Sequence, residues 1–188
     1  MTPGLLPPWP KPPPAFGPVI LREFAARDVP MAIELSTDPY VPQIGTLPAN
    51  ASEHEARAWV NRQRNRLAEG IGYSFAIADA ATDQALGGIG LWLAGLTQGR
   101  ATAGYFVRPS ARGRGVAASA LTALTSFAWT IQVLHRIELY VEPWNTSSVR
   151  TAERAGFERE GVLRSHQEIG GSRRDMLLYA IIRPTEAS

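Results

Sequence analysis

Short runs rich in apolar and β-branched residues, bounded by Gly, Pro and Asp, recur along the chain. They predict strands at about residues 19–24, 73–79, 86–93, 102–107, 137–141, 157–163 and 176–182. Other segments change to helical spacing. Asp28 with Pro30 two residues on predicts a short capped helix. Ser52 and Glu55 form a capping box that opens a helix to about Leu67, closed by Gly70 and Gly72. Ala117, Leu121, Leu124, Phe127, Ala128 and Ile131 repeat at three- and four-residue intervals and predict a long helix over 115–133. A further helix is expected over 145–155, stopped by Gly156. Residues 37–50 read as loop. The order is an antiparallel meander followed by strand–helix–strand–helix–strand–strand, a mixed α/β domain.

The first 18 residues stand apart, holding eight of the 15 prolines. Such a segment favours polyproline II over helix or sheet. It is expected to be an N-terminal arm (1–18) dispensable for the chemistry, ahead of one domain (19–188), with Trp9 and Phe16 able to dock it. It lacks the charged start and apolar run of a signal peptide, and no apolar run approaches membrane-spanning length, so a cytoplasmic chain without membrane contact is expected. The absence of cysteine excludes disulfide scaffolds, thiolate metal sites and a Cys nucleophile. His54, His135 and His166 are scattered, and no metal site is expected.

Net charge is only +2, but Arg supplies all the basic residues except Lys11. From Gln84 to Ile137 there is no Asp or Glu, while Arg100, Arg108, Arg112, Arg114, His135 and Arg136 all fall there. The long helix starts inside this stretch, after Arg112-Gly113-Arg114-Gly115, without the acidic first turn that usually complements a helix dipole. A helix N-terminus preceded by glycines and arginines is an anion site, read here as a cradle for phosphate or pyrophosphate. A P-loop is excluded, because no Gly-Lys-Ser/Thr exists. A dinucleotide fingerprint fits poorly, since Pro109 to Ala111 separate the strand from the first glycine. The arginines form no long basic run, so nucleic acid is not favoured as a partner.

Arg112, Gly115 and Ala117 satisfy R/Q-x-x-G-x-G/A, which resembles the coenzyme A pyrophosphate loop of the GNAT superfamily of N-acetyltransferases. Residues around that loop extend the likeness to the RimJ/RimL branch: Gly104-Tyr105-Phe106-Val107-Arg108-Pro109, Leu134-His135-Arg136-Ile137-Glu138, Pro143-x-Asn145-x-x-Ser148, Gly156-Phe157, Glu160-Gly161-x-Leu163-Arg164 and Arg174-Asp175-x-x-x-Tyr179. The resemblance covers roughly residues 19–183. It implies a GNAT fold: a mixed sheet of about seven strands, splayed between its fourth and fifth (here 102–107 and 137–141), with about four helices. It also implies acetyl transfer from acetyl-CoA, as co-substrate, to a primary amine. The amine would be a protein N-terminus, such as that of a ribosomal protein, or a small molecule. A CoA-binding sensor, a degenerate transferase and another acyl-CoA donor are the alternatives. A homodimer is left open.

The resemblance distributes roles. Residues 103–107 would offer backbone groups to the pantetheine arm, with the N–H of Phe106 or Val107 stabilising the oxyanion. Arg112, Gly113, Arg114, Gly115, Val116 and Ala117 would hold the pyrophosphate. Asn145 would bind the arm, cap the next helix, or both. The tyrosine that many relatives place seven residues after this asparagine is Ala152, leaving Ser148 to assist the departing thiolate. The usual glutamate, two residues before the glycine of the fourth strand, is Thr102. Glu138 and Glu142, expected on one strand face, are the carboxylates left to take the amine proton, with water as the other route. Residues 40–47, Trp59 and Trp92 are candidates for the acceptor side.

Overall fold

The computed structural model describes residues 6–185; the first five residues of the proline-rich segment and the last three of the chain lie outside it. Eight strands form one sheet in the order β1-β2-β3-β4-β5-β6-β8-β7. They are β1 (Ala15–Phe16), β2 (Val19–Glu23), β3 (Gly72–Asp79), β4 (Ala85–Trp92), β5 (Arg100–Val107), β6 (Arg136–Val141), β7 (Glu158–Ile169) and β8 (Ser172–Ile182). All neighbours are antiparallel except β5 and β6. The helices are α1 (Val29–Ser36), α2 (Val41–Ile44), α3 (Glu53–Asn65), α4 (Val116–Ala128) and α5 (Thr146–Arg154).

Alternation along the strands splits the apolar side chains between two cores. Leu21, Tyr73, Phe75, Ile77 and Leu91 point to the side of α4, where Leu121, Leu124 and Phe127 meet them. Phe24 and Ala76 belong to the opposite core, with Leu35 of α1 and Trp59 and Val60 of α3. The capping box forms as expected: the Ser52 hydroxyl accepts the Glu55 N–H, and the Glu55 carboxylate accepts the Ser52 N–H at 2.8 Å. Asp28, expected to cap α1, instead accepts the Ala25 N–H and two N–H groups of Arg22 at 2.8 and 2.9 Å, which ties β2 to the start of α1.

Three elements depart from expectation. The 37–50 loop contains α2, a single turn with Pro42 in its second position. The long helix ends at Ala128 rather than Val133. The last two strands extend into a hairpin whose outer part, residues 164–168, is polar and mostly exposed, so no apolar alternation announces it. The hairpin turns at Gly170-Gly171, both at positive φ, and a Cβ on Gly170 would lie 2.5 Å from the Gln43 side chain. The tip therefore reaches α2.

The proline-rich segment is part of the packing from residue 6 onward. Trp9 meets Phe75 and Tyr73 edge-on, with ring centroids 5.0 and 6.1 Å apart. The buried Tyr73 hydroxyl donates to the Pro7 carbonyl at 2.6 Å, and burial pushes that phenol up to about 12. Phe16, the other candidate anchor, is 52% exposed.

Candidate active site

The parallel pairing of β5 with β6 runs from Arg100↔Arg136 to Ala103↔Leu139 and then stops. Beyond it the strands part, and a cavity of about 1000 Å³ occupies the gap. Gly104 to Val107 line one side, Leu139 to Glu142 the other, with the loop before α4 and the start of α5 at one end.

Ladder parity decides which backbone groups face this gap. The Arg108 N–H donates to Leu86, its opposite residue on β4, so Phe106↔Gly88 and Gly104↔Gly90 are also hydrogen-bonded pairs. This corrects one expectation: the Phe106 N–H is directed to Gly88, and the N–H groups facing the gap are those of Tyr105 and Val107. The Phe106 ring contributes instead to the opposite wall, against Trp59 at 5.5 Å.

The loop before α4 presents free backbone donors to open space. Gly113 and Gly115 both have φ +75°, and a Cβ on either would meet nothing within 4 Å, so the loop backbone borders open space. Among the described residues, the N–H groups of Gly113, Arg114, Gly115, Val116 and Ala117 have no hydrogen-bond acceptor. Such orphan donors at a helix N-terminus suit a phosphate. The Arg112 side chain is already engaged: Nε donates to the Val107 carbonyl at 2.9 Å and Nη1 pairs with Asp38 at 2.7 Å. It fastens the loop to β5 and to the start of α2, where Asp38 also accepts the N–H groups of Tyr40 and Val41. Arg114 is exposed.

Residues 19–158 match the family model described as acetyltransferase (GNAT) domain. The chain belongs to the GNAT acetyltransferase family. It is 33% identical over 132 residues to the probable N-acetyltransferase YjcK of Bacillus subtilis strain 168, covering 69% of this chain and 72% of that one. It is 35% identical to the ribosomal protein uS5-alanine N-acetyltransferase of Escherichia coli K12, over 81 residues that cover 43% of this chain and 42% of the relative. Mycobacterium smegmatis RimJ in complex with CoA-disulfide aligns with a TM-score of 0.76 at 28% identity, covering 91% of this chain and 88% of that one.

The remaining candidates of this GNAT acetyltransferase fall in three places. Asn145 caps α5, its Oδ1 accepting the Ser148 N–H at 3.1 Å and the Ser147 hydroxyl at 2.9 Å. Ser148 lines the gap, whereas Ala152 is wholly buried and offers no proton. Tyr105, expected only as a sheet residue, brings its hydroxyl beside those of Ser148 and Thr151, where it is buried and makes no hydrogen bond among the described residues. Burial raises this phenol above its usual value against the opposing effect of the two neighbouring hydroxyls.

The two carboxylates separate. Glu142 lies in the gap, 3% exposed, accepting the Tyr40 hydroxyl at 2.6 Å, with Arg174 Nε at 3.8 Å. Burial and the Glu142 carboxylate together raise the Tyr40 phenol well above its usual value. Glu138 does not line that cavity. It borders a smaller one of about 410 Å³, where it accepts Arg136 Nε and the Tyr140 hydroxyl, both at 2.7 Å. Burial favours its neutral form, but hydrogen bonds from Arg136 and Tyr140 and the charges of Arg136 and Arg100 outweigh this and hold it below the usual carboxylate range. Alternation had put both on one face. β6 ends at Val141, and the turn in which Asn145 N–H donates to the Glu142 carbonyl aims Glu142 separately.

Proposed function

We propose that this acetyltransferase moves an acetyl group from acetyl-CoA to a primary amine of the kind found at a peptide N-terminus or on a small molecule, in the manner of the RimJ/RimL branch. The observation that carries the reading is the open seam between β5 and β6 with a loop of unpaired N–H groups at one end. The loop suits the pyrophosphate, and the edge of β5 suits the amide groups of the pantetheine arm. The acetyl carbonyl then lies near Tyr105 and Val107, whose gap-facing N–H groups receive the oxyanion.

The amine enters from the side of α2 and α3, whose residues line the gap. Its nitrogen bonds to the acetyl carbon as the carbon–sulfur bond breaks, the amine proton passes to Glu142, and the thiolate leaves beside Ser148. An α-amine has a pKa of about 8 and needs less help than a lysine, near 10.4. Glu142 stands in the gap and is positioned by Tyr40, whereas Glu138 is neutralised by Arg136 outside it.

Glu142→Gln is therefore expected to lower kcat/KM by about 10² to 10⁴. Glu138→Gln should stay within a few-fold of wild type. Steady-state thiol release with an Ala-initiated peptide measures both. Equal rates for wild type and both variants would leave water as the route. Ser148→Ala is expected to cost only about tenfold in kcat, because a thiol of pKa near 8.5 leaves readily as the anion. A loss of more than a thousandfold would make Ser148 the principal acid.

A further inference from the structure

The wall of the gap facing α3 holds a cation that the chemistry above does not use. Gly88 and Gly90 of β4 carry no side chain, and the rings of Phe106 and Trp92 lie where their Cβ atoms would be: a Cβ on Gly90 would fall 1.2 Å from the Trp92 ring. Gly90 is paired with Gly104 of β5, so the indole lies flat beside the strand that borders the reacting centre. Above it stands Arg66, its guanidinium carbon 5.0 Å from the ring centroid.

Arg66 is aimed from below. Its Nε donates to Gln63 Oε1 at 3.0 Å. Gln63 is 3% exposed and is itself fixed, accepting the Ser74 hydroxyl at 3.0 Å and donating to the Trp59 carbonyl at 3.4 Å. The two terminal nitrogens of Arg66 have no hydrogen-bond partner among the described residues, and no carboxylate pairs with them there. The other partly buried arginines differ. Arg22, Arg108 and Arg136 are paired with carboxylates, and Arg183 donates to the Leu134 and Ile131 carbonyls. Burial disfavours the charged form of Arg66, Glu69 opposing and Arg62 reinforcing that effect.

We propose that the paired terminal N–H groups of Arg66 bind a carboxylate of the acceptor, so that the amines acetylated here also carry a carboxylate. This rests on the acetyl-transfer reading and adds the acceptor class to it. A guanidinium preset by one hydrogen bond and a ring face presents a planar fork matched to a carboxylate. Glu142, lining the same cavity, supplies the opposite charge for the amine end, so an acceptor bearing both groups is matched at two points. The carboxylate can belong to a free amino acid or to an acidic side chain near a peptide N-terminus.

The test compares isosteric acceptors that differ by one charge. Ala-Glu peptides against Ala-Gln probe a side-chain carboxylate; alanine against alaninamide probes a main-chain one. Hydrogen bonds to charged groups contribute about 1.5–3 kcal/mol, or roughly 10- to 150-fold. Wild type should favour at least one carboxylate acceptor over its amide by about that ratio in kcat/KM, chiefly through KM. In Arg66→Gln the ratio should fall toward one, and Arg66→Lys should restore part of it. Wild-type turnover without a carboxylate preference, or a preference that survives in Arg66→Gln, overturns the assignment of Arg66 while leaving acetyl transfer standing. Absence of thiol release with every acceptor would overturn the transfer reading itself, and this inference with it.

Discussion

Gly115→Asp is expected to lose acetyl-CoA affinity by more than about a hundredfold while the protein stays folded. Gly115 sits at the N-cap of α4 with φ +75°, flanked by N–H groups that have no acceptor among the described residues. An added carboxylate would claim those donors and repel the phosphates, and losing even two charge-assisted hydrogen bonds of about 1.5–3 kcal/mol each exceeds that factor. The fold should tolerate the change. A Cβ there meets nothing within 4 Å, Asp is among the residues that adopt left-handed backbone, and the strain is about 1–2 kcal/mol. Gly115→Ala carries the strain without the charge and should bind far better than Gly115→Asp. Titration calorimetry with acetyl-CoA beside thermal melting of both variants reads the two effects separately. Equal affinity for Gly115→Asp and wild type would remove the loop from the cofactor site.

The open glycine loop was legible because its signal is local: glycines, arginines and a missing acidic turn all sit within a few residues of the helix that follows. The strands and the Ser52 box were legible for the same reason. What escaped depends on pairings distant in sequence. Whether the Phe106 or the Val107 N–H faces the gap is a matter of ladder parity against β4, which no feature of 104–107 reveals. Alternation correctly opposed Glu138 to Leu139, but β6 stops at Val141, and period-two reasoning has no force on Glu142 beyond that end. Nothing local marks Arg66, which directly follows the last residue of α3. Its setting depends on Gln63 beneath it and on the Trp92 ring lying over a glycine of its own strand. The resemblance supplied the splay, which follows from β5 and β6 diverging after Ala103 and has no residue signature of its own.

Removal of residues 1–18 is expected to destabilise the protein by roughly 3–5 kcal/mol, against the reading that composition suggests. Proline density describes what backbone the segment adopts and says nothing of what its one tryptophan touches. Trp9 closes an aromatic cluster in which Phe127 of α4 meets Tyr73 at 4.8 Å and Phe75 at 5.4 Å. Substituting a well-packed Trp by Ala costs about 3–5 kcal/mol, and Trp9, only partly buried, belongs at the lower end. Truncation removes more: the Pro7 carbonyl that accepts the Tyr73 hydroxyl, the Pro14 carbonyl that accepts the Leu21 N–H at 2.7 Å, and the Pro18 carbonyl that accepts the Ala80 N–H at 2.9 Å. For a chain of this size each kcal/mol moves Tm by about 2–4 °C, so a fall of roughly 6–20 °C is expected on truncation and a smaller one for Trp9→Ala. The chemistry should respond differently, because neither Trp9 nor Pro7 lines the gap. Well below the lowered Tm, thiol release by the truncated chain should stay within a few-fold of the full-length rate. An unchanged Tm would show that the aromatic cluster closes without Trp9. A lost rate at unchanged Tm would place the segment in the reaction rather than in the core.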